Sequence, residues 1–231
     1  MIKKYKISVP KSTLNEIYKK VRNFPWSAAQ NMNGWEYGTN LNYLKNISKY
    51  WITKYNWKKF ENKINSFKNY KTKVEDINLH FIFEKSKNPN SKPLLLLHGW
   101  PGSITEFLDI IPRLAHPEKF GGKIEDGFDI IVPSLPGFGF SSQIKKALGP
   151  RKIGKILNKF MVKNLGYKNY FVQGGDWGAT IAGWIGLDSS KNCKGIHINC
   201  LPLRHPKGTK NIKEKKWEKK FNFDQIMQEG Y

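Results

Sequence analysis

Residues Gly174-Gly175-Asp176-Trp177-Gly178-Ala179 follow an apolar run, Tyr170-Phe171-Val172-Gln173, and open a stretch with helical spacing. Small residues two positions on either side of a polar one, at a strand-to-helix turn, make the frame of a nucleophile elbow. Here the nucleophile's seat holds a carboxylate. The glycines have a steric reason: the nucleophile of such a turn sits on strained backbone, so its neighbours can carry little or no side chain. A carboxylate nucleophile displaces a leaving group at an sp3 carbon and leaves an ester, which water must then cleave. Asp176 is therefore the candidate catalytic nucleophile.

A second cluster, His98-Gly99-Trp100-Pro101-Gly102, follows the apolar run Leu94-Leu95-Leu96-Leu97. Hydrolysis of an aspartyl ester passes through a tetrahedral oxyanion. An elbow enzyme holds that oxyanion with the N–H after the nucleophile and one from an earlier strand-end loop. The expected donors are the backbone N–H groups of Trp177 and Trp100. Pro101 has no N–H and a fixed φ, which helps hold the Trp100 amide in place. His98, at a strand end before Gly99, is expected to hold the loop by hydrogen bonds rather than to act as a base. The site loop then comprises His98, Gly99, Pro101 and Gly175.

Both clusters need elements behind them. From residue 77 the sequence alternates strands and helices. Strands are predicted over residues 77–84, 94–97, 128–132, 170–173 and 195–200. Helices are predicted after Ser103, over 151–165, and over 180–187. Ser103 with Glu106 three residues later is a capping-box pattern, and Ile104, Phe107, Leu108, Ile111 and Leu114 give that helix an apolar face. The pattern is a right-handed βαβ series in an α/β fold with a mostly parallel sheet and flanking helices, its site at the carboxyl ends of the strands. Residues 1–75 read differently. They are aromatic and basic, with helical spacing at Leu14, Ile17, Tyr18 and Val21 and again at Ile47, Tyr50, Trp51 and Tyr55. They are expected to form an arm packing on the core, these rings being a buried face or the lining of an apolar cavity. The division expected is 1–75 arm, 76–206 core and 207–231 the start of a lid region.

Charge raises another function class. With 40 basic against 18 acidic residues the formal charge is +22, enough for general attraction to polyanions. Arginine, the residue of bidentate base and phosphate contacts, occurs only at Arg22, Arg113, Arg151 and Arg204. A specific nucleic-acid partner is not expected, and the basic run 207–220 reads as a solvated helix face. No metal-ligand spacing or cofactor motif is present. Cys193 and Cys200 are expected to be reduced core thiols. No apolar stretch reaches the length of a membrane helix and no signal-peptide pattern opens the chain, so a cytoplasmic location is expected.

The segments His98-Gly99-Trp100-Pro101-Gly102-Ser103-x-x-Glu106-Phe107, Ser134-Leu135-Pro136-Gly137-Phe138-Gly139-Phe140-Ser141 and Gly174-Gly175-Asp176-Trp177-Gly178 resemble the epoxide hydrolases of the α/β-hydrolase superfamily, most closely the microsomal and juvenile-hormone type. The arm is similar to that branch's N-terminal region. Val9-Pro10, Gly34-Trp35-x-Tyr37-Gly38, Tyr50-Trp51, Tyr55-Asn56-Trp57-Lys58, Glu61, Asn65, Phe67 and Leu79-His80-Phe81 fall in its order, with Asn56 and Lys58 where an aspartate and an arginine are usual. The resemblance implies conversion of a small apolar epoxide and water to a vicinal diol. Asp176 opens the oxirane, lid tyrosines protonate its oxygen, and water activated by a histidine–acid pair cleaves the ester. It also implies an arm that wraps the core and meets the lid, and no cofactor or metal. Membrane-anchored members carry an apolar leader that is not seen here.

In that family the acid and histidine follow the lid. After Asp176 this sequence has only His197 and His205, both expected to be structural, as are Asp188 and Asp224. The expectation is therefore an amino-terminal part of such an enzyme, lacking the lid and last strands and with little or no turnover. Two alternatives stand beside it. A haloalkane dehalogenase-like hydrolase also carries an elbow aspartate followed by tryptophan, and a non-catalytic basic binding protein would use the charge.

Overall fold

The computed structural model describes residues 1–28 and 34–200. Within them seven strands form one sheet: β1 (Lys3–Lys4), β2 (Asn69–Val74), β3 (Ile77–Glu84), β4 (Lys92–Leu97), β5 (Phe128–Pro133), β6 (Tyr170–Gly174) and β7 (Cys193–Ile198), in the order β1-β2-β3-β5-β4-β6-β7. The sheet is mixed. Strands β5, β4, β6 and β7 are parallel, whereas β1, β2 and β3 are joined antiparallel and β3 meets β5 antiparallel. The antiparallel part begins in the residues read as an arm: Asn69 to Val74 pair along β3 after the tight turn at Glu75 and Asp76. The alternation in Asn69-Tyr-Lys-Thr-Lys-Val74 is masked by lysines at its exposed positions, which is why the strand is hard to see from sequence.

The apolar runs of β4 and β5 are buried on both faces, as central parallel strands must be. Leu95 and Leu97 point with Leu79, Phe81, Ile131 and Val172 toward helices α5 (Pro150–Lys159) and α6 (Trp177–Asp188). Leu96 points with Ile82, Ile130 and Val132 to the other face, against Ile104, Phe107, Leu108 and Ile111. A turn of π-helix, Phe160–Asn164, extends α5 and buries Phe160 and Met161. The elbow helix begins at Trp177, earlier than residue 180. Its first turn, Trp177-Gly178-Ala179, has no polar face to show periodicity because Gly178 and Ala179 are both buried.

The helix expected after Ser103 is broken in two. A 3₁₀ turn, Ile104–Phe107, carries the complete Ser103–Glu106 capping box, and the α-helix α4 (Ile111–Ala115) starts afresh with Pro112 in its first turn. Proline lacks the N–H that a continuous helix would use there, so it suits a new start and not an interior. Cys193 is buried at the start of β7, but Cys200 is exposed, correcting its placement in the core. Among the described residues no helix is long and apolar enough to cross a membrane.

Among the described residues before β2 are the helices α1 (Lys11–Arg22), α2 (Leu41–Thr53) and α3 (Trp57–Asn65). Helix α3 fastens the chain start to the sheet. Asn65 exchanges two hydrogen bonds with the backbone of Ile7 (2.9 and 2.8 Å), and the buried carboxylate of Glu61 accepts from Val9 N–H (2.7 Å), Trp57 Nε1 (3.2 Å) and Lys58 Nζ. Asn56 caps α3 by accepting from Lys59 N–H (3.1 Å). The two departures in this motif, Asn56 and Lys58, thus still supply a cap and a cation. Helices α1 and α2 are not a buried face. Ile47, Tyr50 and Trp51 are all more than 40% exposed and line, with Leu14, Ile17 and Tyr18, an open apolar cavity of about 440 Å³ between the two helices.

The hydrogen bond from Lys58, with that from Val9, holds the Glu61 carboxyl below the usual carboxylate range. A carboxylate depressed in the folded state adds stability that is present above its unfolded pKa and lost as pH falls through the folded one. Glu61→Ala is expected to cost about 2–3 kcal/mol at pH 7. Urea titrations should show the gap between wild type and variant closing below about pH 4. An unchanged gap at pH 3 would mean that apolar packing, not the carboxylate, holds the arm.

Candidate active site

The order of the sheet creates the site. From β4 the chain crosses to β5 on one side, and then returns to β6 on the other side of β4. The loops leaving the carboxyl ends of β4 and β6 therefore part at a switch point, where open α/β sheets bind their ligands. Those loops are His98–Gly102 and Gly175–Asp176.

Asp176 occupies the turn between β6 and α6 with φ 50° and ψ −121°, one of only two non-glycine residues with positive φ among those described. These angles are those of the first central residue of a type II′ turn, a glycine position. The contacts around it explain the small residues. A Cβ on Gly178 would overlap the Leu97 carbonyl oxygen, and one on Gly174 would overlap the carbonyl of Gly178. A Cβ on Gly99 would overlap the Asp176 carboxylate, and one on Gly175 would sit 2.6 Å from Asn199 Oδ1. The strand, the loop and the helix pass too close for anything larger.

The carboxylate is exposed and accepts a hydrogen bond from the Trp100 backbone N–H, at 2.8 Å to Oδ1. Trp177 supplies the first amide of α6, which has no acceptor within its own helix. The Trp100 and Trp177 side chains are 67% and 40% exposed. Asp176 lies in an open cavity of about 520 Å³ whose walls include Gly99, Pro101, Glu106, Gly175 and Asn199. The Trp100–Pro101 peptide is cis.

His98 is fully buried and holds the loop. Its Nε2 accepts from Leu135 N–H (3.1 Å), so the proton is on Nδ1, which donates to the Gly99 carbonyl (2.9 Å). Burial lowers its pKa, with the Gly99 bond opposing. Both nitrogens are engaged, which leaves it neutral and unavailable as a base. The 133–141 loop is tied down by a second histidine. His80 bonds Ser134 Oγ through Nδ1 (2.9 Å) and Asn69 Oδ1 through Nε2 (3.1 Å), while Ser141 Oγ accepts from His80 N–H and donates to the Ser134 carbonyl. Burial takes the His80 pKa to about 3, so this network is uncharged.

The demoted groups find other employment. Asp188 ends α6 and receives two bonds of 2.8 Å from Arg151, whose hydrogen bond holds its pKa down. His197 lies within β7, opposite Gln173. His205, Asp224 and the expected lid region 207–231 lie outside the described residues. Among the described residues no histidine lines the Asp176 cavity. Two wall residues escaped the sequence reading. Asn199 was placed inside a strand, but β7 ends at Ile198, so Asn199 enters the site as a third strand-end residue. Glu106 was seen only as a cap, yet it faces the same cavity. Its pKa is raised, first by desolvation in the loop and further by the charge of Asp176, against hydrogen bonds from the Ser103 and Gly99 backbone.

The chain is similar to known proteins in sequence and fold. The family model of the epoxide hydrolase N terminus matches residues 2–107, and that of the alpha/beta hydrolase fold matches residues 92–224. The chain is 36% identical to epoxide hydrolase 1 of Oryctolagus cuniculus over 210 residues, 88% of this chain and 46% of that protein. It is 34% identical to juvenile hormone epoxide hydrolase 1 of Ctenocephalides felis over 216 residues, 92% of this chain and 45% of that one. The crystal structure of juvenile hormone epoxide hydrolase from Bombyx mori superposes with a TM-score of 0.75 at 34% identity, over 86% of this chain and 53% of that chain. Aspergillus niger epoxide hydrolase superposes at 0.76 and 27% identity, over 100% of this chain and 61% of that chain. The chain spans about half the length of the curated relatives it matches. It belongs to the α/β-hydrolase superfamily and carries, in residues 2–107, the region matched by the epoxide hydrolase N terminus.

Proposed function

We propose that Asp176 opens an epoxide and becomes esterified, the first half of epoxide hydrolysis to a vicinal diol. The observation that carries this reading is the exposed carboxylate on a strained elbow with the Trp100 N–H 2.8 Å from Oδ1. Oδ1 is thereby assigned to the oxyanion pocket and Oδ2 is left to attack. In the first step Oδ2 bonds an oxirane carbon, the C–O bond breaks, and the alkoxide takes up a proton, giving a hydroxyalkyl ester. In the second step water adds to the ester carbonyl and the negative charge gathers on Oδ1. The backbone N–H groups of Trp100 and Trp177 stabilise it there before the diol leaves. The exposed Trp100 lines the cavity that holds Asp176 and favours an apolar substrate.

The proton donor of the first step and the base of the second are assigned, with the lid tyrosines and the histidine–acid pair, to the portion of the relatives' length that this chain does not span. Among the described residues no histidine lines the Asp176 cavity to activate the second water, so an ester formed on Asp176 should persist long enough to be trapped. Incubation with styrene oxide followed by intact-mass and peptide mapping tests this. The expected product is one adduct on the Asp176 peptide, cleaved by hydroxylamine as an ester and not as a lysine amine. Adducts confined to lysines and cysteines would sink the reading.

A further inference from the structure

The amide that meets Asp176 sits in a loop whose far end is fastened by a single side chain. The Glu106 carboxylate accepts from Ser103 N–H, 3.2 Å from Oε1, and lines the Asp176 cavity beside Gly99 and Trp100. Three residues before Ser103 lies Trp100, whose N–H donates to Asp176. The packing is close enough that Oε1 occupies the space a Cβ on Gly102 would need, which accounts for glycine at that position. Glu106 is itself fixed from the far side, because Phe107 and Ile104 of the same 3₁₀ turn are buried in the core. The capping box, ordinarily a device for starting a helix, here joins a core-anchored turn to the oxyanion loop.

We propose that Glu106 is a positioning residue of the reaction: by bonding the Ser103 amide and packing against Gly102 it holds the Trp100 N–H against Asp176 Oδ1. The inference rests on the assignment of Asp176 as nucleophile for its catalytic consequence, and on geometry alone for its structural part. An oxyanion donor acts by preorganisation, so a loop free to shift by about 1 Å forfeits much of its effect. The role is filled by hydrogen-bond acceptance rather than charge. A glutamine at position 106 keeps one acceptor oxygen and serves in part; alanine keeps none.

The test compares wild type, Glu106→Ala and Glu106→Gln in the full chain with two readouts. One is the rate of styrene oxide ester formation on Asp176. Glu106→Ala should slow it about 10–100-fold, with Glu106→Gln recovering at least half of that loss on a logarithmic scale. The other is the Trp100 backbone amide resonance in 15N-labelled protein, which needs no substrate. It should move in Glu106→Ala toward the position it takes in Asp176→Ala, where no side-chain acceptor is left, and remain near wild type in Glu106→Gln. If Glu106→Ala leaves the Trp100 amide where it was, the proposal is wrong, whatever the rate. It is equally wrong if Glu106→Gln behaves as Glu106→Ala, since charge would then be the operative property. Should wild type form no ester while the amide shifts follow the expected pattern, Glu106 keeps its structural role and the epoxide reading of Asp176 is the one to fall.

Discussion

Asp176→Gly is expected to abolish ester formation with styrene oxide and to give a more stable protein than Asp176→Ala. Loss of the nucleophile removes the reaction outright, a fall of about 10⁴-fold or more. The stability comparison follows from the backbone. At φ 50°, ψ −121° any residue with a Cβ is strained, at a cost on the order of 1–3 kcal/mol, whereas glycine is at home. Glycine gives back about 0.5–1 kcal/mol through the greater freedom of its unfolded chain. Both variants lose the bond to Trp100 N–H equally, so it cancels between them. Asp176→Gly should therefore exceed Asp176→Ala by about 1–2 kcal/mol in urea denaturation. Equal stabilities, or alanine ahead, would show that the elbow stores no strain.

The second large effect concerns two glycines in the same helix. Gly178→Ala should cost about 3 kcal/mol or more, because the new methyl meets the Leu97 carbonyl on a central strand and neither side can move without parting β4 from α6. Gly183, one and a half turns along α6, is exposed and has nothing within 4 Å of a built Cβ. Gly183→Ala should add about 0.5–1 kcal/mol from helix propensity alone. Chemical denaturation of the two variants beside wild type measures both signs at once. A Gly178→Ala protein within about 1 kcal/mol of wild type would mean that helix and strand are less tightly apposed than described.

Much of this arrangement could be read directly from the residues. Leu94–Leu97 announced a buried parallel strand because both its faces are apolar, residues 128–132 announced the next strand, and the Gly174–Gly178 frame announced a tight strand-to-helix turn at Asp176. The placement of His98 as a loop anchor also followed from its position at a strand end, and its two engaged nitrogens agree with that reading. The strand β2 was hidden because lysines occupy its open positions. The helix after Ser103 was drawn too long because its apolar spacing runs on through Pro112, where the hydrogen-bond ladder cannot. The aromatic faces of α1 and α2 kept their spacing but not their burial, since periodicity reports that a face is apolar and not whether anything covers it.

Sequence by itself determined the chemistry on offer: a carboxylate in a glycine frame, two tryptophan amides at strand ends, and the family to which these belong. Local constraints of this kind survive in sequence because backbone strain and close approach allow few residue types. Only the tertiary structure decided which groups meet. Trp100 and Asp176 are 76 residues apart and touch because β4 and β6 are neighbours across the switch point. Asn199 joins them only because β7 ends one residue earlier, and Glu106, besides capping its own turn, comes to line the Asp176 cavity with the loop after β4. Such meetings depend on strand order and on where each strand stops, quantities fixed by the packing of the whole sheet rather than by any single segment.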